Sequence, residues 1–360
     1  MKAIKQLQLL LGNYFTSSYW NLECLSHIIL GLLQVNDVNL AKLAKTFTRE
    51  ASVDSCYKRL QRFMTRFTFS FDQLWLLVCD TFDLAKIFYL TMDRTNWKFG
   101  KTHINYLVVA VAFNGYAIPV IWRLLPKRKR GNSSASDRKE LFDHLFKFIS
   151  SKCIRSLLCD REFIDYNWIN YLIKHQIPFV IRAKANLTVN TAKGKAKIST
   201  LFRDLKVYEV RYLKKSLNIV DCELFLSAMR LPSGELLIVA TGHYDENALD
   251  DYAVRWEIES CFSALKKRGF NLENTHLKSS DKLSKLMFVT VLAFIWSYAC
   301  GEVLGKIKSL KIKKHGYLHK SVIKIGMEVL GKAIVRMHLD MNQLIELIGH
   351  IGRPINTINR

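Results

Sequence analysis

The sequence predicts an α/β protein: a central run of strands with helical regions at both ends. Three observations carry this. Apolar residues at helical spacing fill residues 1 to 85, with Leu7, Leu9, Leu10 and Leu11 beginning one face and Leu25, Ile28, Ile29, Leu32 and Leu33 making another. From Lys86 the pattern changes to short runs of β-favouring residues bounded by turn formers. From Asn247 the helical period returns and continues to the end.

Taken in order, Asp37-Val38-Asn39-Leu40 reads as a helix start, with Asn39 or Asp37 as N-cap. Residues 40–47 and 53–67 read as paired short helices. The second carries Lys58, Arg59, Arg62 and Arg66 on a helical period, which suits either a solvated basic face or a phosphate-contacting helix. Ile87-Phe88-Tyr89-Leu90-Thr91-Met92 is a strand that ends at Asp93. Residues 106–113 and 116–125 are two more strands. Asn114-Gly115 between them is a strong hairpin signal, so the three strands form an antiparallel meander. A basic loop follows, then a helix over 137–149 and a short strand, 156–159, ending at Asp160. Residues 165–175 read as a helix and 178–181 as a strand. Residues 183–244 are mostly β-structure, with Pro232-Ser233-Gly234-Glu235 as a hairpin turn.

Composition narrows the function. Of 360 residues, 49% are hydrophobic and 24% charged, so a packed core is expected rather than disorder. Lys and Arg number 54 against 31 Asp and Glu, a net charge of +23. Such a surplus repels itself unless a polyanion balances it, and nucleic acid is the first candidate. The eight cysteines show no CxxC spacing and several lie in apolar runs, which argues against a disulfide framework or zinc cage and for a reducing compartment. Residues 286–301 are apolar but shorter than the roughly 20 residues that span a bilayer, so a buried helix is expected and no membrane partner. Neither a cleavable signal peptide nor an internal repeat is evident. His315 and His319 have an i, i+4 spacing, but Gly316 and adjoining lysines favour a solvated basic face over zinc.

Asp93 and Asp160 each end a buried-looking strand, and two such acids could share Mg²⁺, although an acid at a strand end is by itself more often an ordinary turn former. A third group is more informative. Tyr252, Arg255, Glu259 and Lys266 lie on a predicted helix at offsets of three, four and seven. At 100° per residue they fall at about 0°, 300°, 340° and 320°, one narrow stripe. A carboxylate bordered by cations and a phenol suits a metal ligand flanked by phosphate-gripping groups better than a salt-bridged surface face.

These residues carry a resemblance. Tyr252, Arg255, Glu259 and Lys266 resemble the Tyr-Arg-Glu-Lys signature of cut-and-paste DDE transposases from bacterial insertion sequences. Asp93-Arg94-Thr95-Asn96-Trp97-Lys98-Phe99-Gly100 is similar to the first-aspartate segment of that family. Cys159-Asp160-Arg161-Glu162-Phe163 is similar to the second, and Arg255-Trp256-Glu257-Ile258-Glu259 to the glutamate helix. The resemblance runs from about residue 86 to about residue 297.

The resemblance implies an RNase H-like mixed-sheet catalytic core over 86–300 with a β-rich insertion at about 183–244. Outside the span of the resemblance, the basic helical period over 53–67 marks residues 1–85 as a candidate helical DNA-binding region, and the lysine-rich helical region over 301–360 would serve dimerisation or DNA contact. The resemblance implies phosphoryl transfer with two Mg²⁺ ions, Mn²⁺ substituting. Asp93 would bridge both ions and Asp160 and Glu259 would each hold one side. Tyr252, Arg255 and Lys266 would grip phosphates, and Trp256 would stack on a flipped base. The second stacking tryptophan often found in the insertion has no counterpart in 183–244. Tyr208, Tyr212, Phe225 and Tyr244 are the aromatics there, read as sheet packing. Lys127, Arg128, Lys129 and Arg130 are candidate DNA-backbone contacts. The implied partners are double-stranded DNA, both terminal inverted repeats and target, and a second copy in a homodimeric paired-end complex, in a bacterial cytoplasm beside the nucleoid. The alternatives are a non-catalytic or inactive transposase-derived DNA-binding protein and an RNase H-like nuclease.

Overall fold

A computed structural model describes residues 2–47, 51–84, 86–126, 132–191, 194–307 and 320–354. Lys127, Arg128, Lys129 and Arg130, with His315 and His319, lie outside the described residues. The helices that open the chain are α1 (Lys2–Gly12), α2 (Tyr19–Val35), α3 (Leu40–Ala44), α4 (Val53–Arg66) and α5 (Phe71–Phe82). Strands β1 (Phe88–Phe99), β2 (Thr102–Phe113) and β3 (Tyr116–Leu124) follow, then α6 (Ala135–Leu145), β4 (Ile154–Cys159), α7 (Tyr166–Lys174) and β5 (Phe179–Arg182). Next come β6 (Thr188–Thr191), β7 (Gly194–Lys197), β8 (Val210–Tyr212), β9 (Leu217–Ile219), β10 (Cys222–Arg230) and β11 (Leu236–Thr241). Helices α8 (Ala248–Ala253), α9 (Trp256–Leu265), α10 (Ser280–Ile307), α11 (Val322–Val335) and α12 (Met341–Ile348) complete the chain.

The chain divides into two compact units. The sheet unit holds Ala85–Asn96 and Asn105–Ser260. Among the described residues one sheet has nine strands, in the order β3-β2-β1-β4-β5-β11-β10-β8, with β9 paired to β10 off that path. The first five positions are the RNase H-like arrangement: a β1-β2-β3 meander, then β4 parallel to β1 and β5 parallel to β4. Asn114 and Gly115 both take positive φ, 48° and 87°, as a tight two-residue hairpin turn requires. Leu107 to Val111 on β2 are wholly buried, as befits a strand covered on both faces.

Two expectations change here. β1 does not end at Asp93 but continues to Phe99, because Thr95 and Trp97 are buried while Asn96 and Lys98 are exposed, so the strand's period-two alternation persists. The turn comes at Gly100, with φ 56°. The strands of the 183–244 segment are not all set apart. β11 pairs antiparallel with β5 and β10 with β11, so they extend the central sheet, while β6 and β7 form a separate two-stranded sheet.

Helix α6 starts in a reciprocal capping box between Ser134 and Asp137. Helix α7 is N-capped by the Asp165 carboxylate, which accepts from the Trp168 N–H at 3.0 Å. α8 lies against the sheet, where Tyr252, Leu249 and Ala248 pack with Leu158, Val180 and Val239. Fully burying each leucine or valine of this group contributes about 1.5–3 kcal/mol.

The helical unit holds Met1–Leu84, Trp97–Ile104 and Cys261–Arg360. Its axis is α10, which packs against α2, α4, α5 and α11. At 28 residues α10 is long and apolar enough to cross a membrane, longer than the 286–301 expected, but 94% of its most apolar window is buried in the protein. It is a core helix, as its all-round hydrophobicity requires. α10 and α11 cross at Gly301 and Gly326, where backbones approach too closely for any side chain. Asn39 is the α3 N-cap, accepting from the Ala41 and Lys42 amides. Asp37 accepts instead from the Asn39 N–H, from Lys42 and from the amides of Asn271 and Asn274. All eight cysteines are free thiols.

Candidate active site

Strand register places the first two acids. β1 and β4 run parallel with Met92 opposite Cys159, both fully buried. Pairing stops there, so the next residues, Asp93 and Asp160, leave the core side by side. Leu90, Met92, Leu157, Leu158 and Cys159 anchor the two strand ends in the interior, which is why polar residues appear immediately beyond them.

Side chains around the acids fix that position. The Arg94 guanidinium donates to both carboxylate oxygens of Glu162, through Nε and Nη2, in a two-pronged ion pair. It also donates to Asn132 Oδ1 at 3.2 Å. Arg138 on α6 is 2% exposed. It donates to the Ser133 hydroxyl at 2.9 Å, to the Ser133 carbonyl at 2.6 Å and to the Asp165 carboxylate, and it lies 4.9 Å over the Phe163 ring. The segment after Asp160 is thus held from β1 and from α6. Sequence reasoning assigns no role to Arg94, Glu162 or Arg138. Arg94 and Glu162 stand within the aspartate segments, and their opposite charges are the available signal.

The predicted helix through Tyr252, Arg255 and Glu259 is broken. α8 ends at Ala253 and α9 begins at Trp256. Between them the amides of Val254, Arg255, Glu257 and Ile258 each donate to the carbonyl three residues back, so the chain tightens to 3₁₀ geometry. Tyr252 sits on α8, Arg255 at the break and Glu259 on α9. Arg255, its side chain 4% exposed, reaches Asp93 Oδ2 at 3.4 Å and Glu259 Oε1 at 3.3 Å. The Tyr252 hydroxyl lies 3.5 Å from Asp160 Oδ1, the outer limit of a hydrogen bond. The Arg255 guanidinium also stacks over the Tyr252 ring at 5.5 Å and the Trp256 ring at 5.1 Å. The Trp256 indole is 61% exposed. Glu257, to which the sequence pattern gives no role, accepts from the Gly115 N–H at 2.8 Å and so ties α9 to the β2–β3 turn.

The electrostatics follow from burial among these charges. Burial pushes the Asp93 carboxyl up to about 6, the charges of Glu162 and Asp160 add to this, and the Arg94 N–H and Arg255 oppose it. Burial drives Tyr252 up to about 12. Burial also raises Glu257, against the Gly115 N–H bond. The donor set of Asp93, Asp160 and Glu259 is hard oxygen, which fits Mg²⁺. Two of the three are juxtaposed by the register, while the Arg255 guanidinium lies between Asp93 and Glu259. Among the described residues no three His, Cys, Asp or Glu side chains form a preformed metal cage.

Lys266 belongs to the helical unit, where its amine lies 3.2 Å from Glu273 and 5.6 Å over the Trp97 ring. Of the aromatics in the β-rich segment, Phe225 and Tyr244 meet edge-on at 6.2 Å. Tyr208 is not packed as expected. It is 71% exposed, because a left-handed turn with φ 66° points it away just before the edge strand β8.

Residues 130–296 match the family described as the transposase DDE domain. The span is a little under half the chain and supports a DDE-type transposase domain there; it includes Asp160, Tyr252, Arg255, Glu259 and Lys266 and leaves out Asp93. No curated protein sequence matches the chain significantly. Among solved structures, it is similar to a piggyBac transposase in a synaptic complex with hairpin DNA. Identity is 12% and the TM-score 0.43, with 98% of this chain and 83% of that chain covered.

Proposed function

We propose that the chain is a DDE-type DNA transposase that cuts duplex DNA at the ends of a mobile element and joins those ends to a target. One observation carries the reading: the parallel β1–β4 register that brings Asp93 and Asp160 out of the core together, beside the helix that bears Glu259. The match to the transposase DDE domain over 130–296 supports it.

Asp93, Asp160 and Glu259 would hold Mg²⁺ or Mn²⁺, which when bound supplies Lewis acidity to the attacking hydroxyl and the leaving 3′-oxygen. Arg255 holds Asp93 and Glu259 toward one another, and its charge lowers the Asp93 carboxyl against the rise that burial imposes. The rotation that frees the guanidinium from the acids would turn its donors to a phosphate, a ligand its planar fork suits. Tyr252 holds Asp160 in orientation and presents its phenol beside the same phosphate. Trp256, exposed and stacked on Arg255, offers a face for an unpaired base. Duplex ends carrying inverted repeats, brought together by a homodimer, are the proposed substrate.

A second reading rests on the Arg255 bridge: a chain whose guanidinium permanently occupies the space between two acids would bind DNA without cutting it. End-labelled DNA carrying the sequences that flank the gene separates the two. Cleavage in Mg²⁺ that EDTA and Glu259→Ala both abolish supports the transposase. Tight binding with no cut by the unaltered protein in either Mg²⁺ or Mn²⁺ establishes the second reading.

A further inference from the structure

Helix α4 in the helical unit has two faces of different character. Cys56, Leu60, Phe63 and Met64 are buried. Lys58, Arg62 and Arg66, at i, i+4 and i+8, are exposed on the other side with Gln61 and Thr65 between them. At 1.5 Å rise per residue the three cations stand about 6 Å apart in a line. They line a groove of about 600 Å³, and Lys282 from the first turn of α10 lines it too. Arg62 and Arg66 also border an adjoining hollow of about 370 Å³ shared with Trp20. The Trp20 indole is 67% exposed and meets Tyr19 edge-on.

We propose that this groove, lined by Lys58, Arg62, Arg66 and Lys282 and ending at Trp20, binds the sugar-phosphate backbone of duplex DNA. Two observations separate these cations from an ordinary solvated face. Among the described residues none of the four pairs with a carboxylate: Asp281 is taken by Lys285 at 2.7 Å, and Arg59 bonds Glu23 at 2.9 Å. Four uncompensated cations on one concave surface repel one another, and a polyanion relieves that cost. The fourth cation of the sequence pattern, Arg59, is turned inward; it bonds Glu23 and the Trp20 carbonyl and so fixes the base of the aromatic rim rather than facing the groove. The ligand is a nucleic-acid backbone rather than a bilayer because α4 buries Cys56, Leu60, Phe63 and Met64 inside the protein and, apart from Val53 at its first position, its exposed residues are charged or polar. The proposal does not depend on catalysis by Asp93, Asp160 and Glu259.

The test uses the full chain and fluorescence anisotropy with a labelled duplex of about 30 base pairs and arbitrary sequence, titrated against KCl. The triple variant Lys58→Gln, Arg62→Gln, Arg66→Gln should bind at least about tenfold more weakly near 100 mM KCl. Its slope of log K against log salt should be shallower by about three, since each phosphate no longer neutralised takes about 0.9 from the slope. Trp20→Ala should weaken binding and leave the slope unchanged. A triple variant that melts like the wild type, with the same duplex affinity and slope, overturns the proposal. So does a wild type that prefers phosphatidylserine vesicles to duplex and loses only vesicle binding in the triple variant. Groove-dependent binding without cleavage in Mg²⁺ defeats the transposase reading and leaves the groove standing. Cleavage with groove-independent binding does the reverse.

Discussion

Arg94 and Glu162 form a two-pronged ion pair between β1 and the segment after β4, one residue past Asp93 and two past Asp160. Both side chains are largely shielded, 11% and 15% exposed, so each charge depends on the other. Removing one partner leaves the other buried and uncompensated. Arg94→Gln should cost about 3 kcal/mol in denaturant unfolding, and Glu162→Gln a similar amount. The double variant should lose clearly less than the sum of the two. Additive losses would mean that the pair does not hold the strand ends together.

Arg255 spans two acids with one planar group, which a lysine ammonium cannot do. Arg255→Lys should lower DNA cleavage by at least about tenfold while changing stability by less than about 1 kcal/mol. Equal cleavage would show that charge alone suffices. Arg255→Gln should move the Asp93 pKa above its value of about 6, since the guanidinium lowers it. Carboxyl-carbon NMR of the metal-free protein reads this directly, and an unchanged or lower value would contradict the contact.

His27 is 5% exposed and stacked on Phe47 at 4.6 Å. Burial lowers its pKa from 6.5 to about 4, and the Arg59 charge adds to this. Between those values the unfolded chain binds a proton that the folded protein refuses. Stability should therefore fall as pH drops from about 6.5 towards 4, by up to about 3 kcal/mol. The loss is absent above pH 6.5. His27→Phe should flatten this part of the stability profile; a profile as steep as the wild type's would assign the slope to other groups.

A Cβ on Gly326 would stand 1.7 Å from the Ser297 carbonyl oxygen, and one on Gly301 2.1 Å from that of Val322. Backbone cannot yield as a side-chain tip can, so α10 and α11 would have to separate. Gly326→Ala should destabilise by about 3 kcal/mol or more despite its better helix propensity. Thermal melting checks it, and an unchanged midpoint would show that the helices cross less closely than described.

Much of the strand pattern is legible in the sequence because it depends on neighbours in the chain. The Asn114-Gly115 turn, the apolar run of β2, the end of β4 at Asp160 and the β10–β11 hairpin all follow from local residue chemistry. Two expectations fail, each for its own reason. Alternation continues through polar residues beyond Asp93, so β1 runs on to Phe99. A period of 3.6 fits Tyr252, Arg255 and Glu259, yet the chain tightens at Val254–Arg255. A periodic pattern gives no sign of a change in hydrogen-bond span.

The sequence by itself determined which residue types were available: acids beyond apolar strands, cations on a helical period, glycines at turns. Only the tertiary structure decided their pairings. It set Asp93 beside Asp160 through the register of two strands more than 60 residues apart in the chain. It joined Arg94 to Glu162, tied Glu257 to Gly115, turned Arg59 inward and left Lys58, Arg62 and Arg66 facing outward. Local propensity follows from a residue and its near neighbours. A charge's partner follows from which distant segments packing brings within a few ångströms, and burial then makes that partner matter.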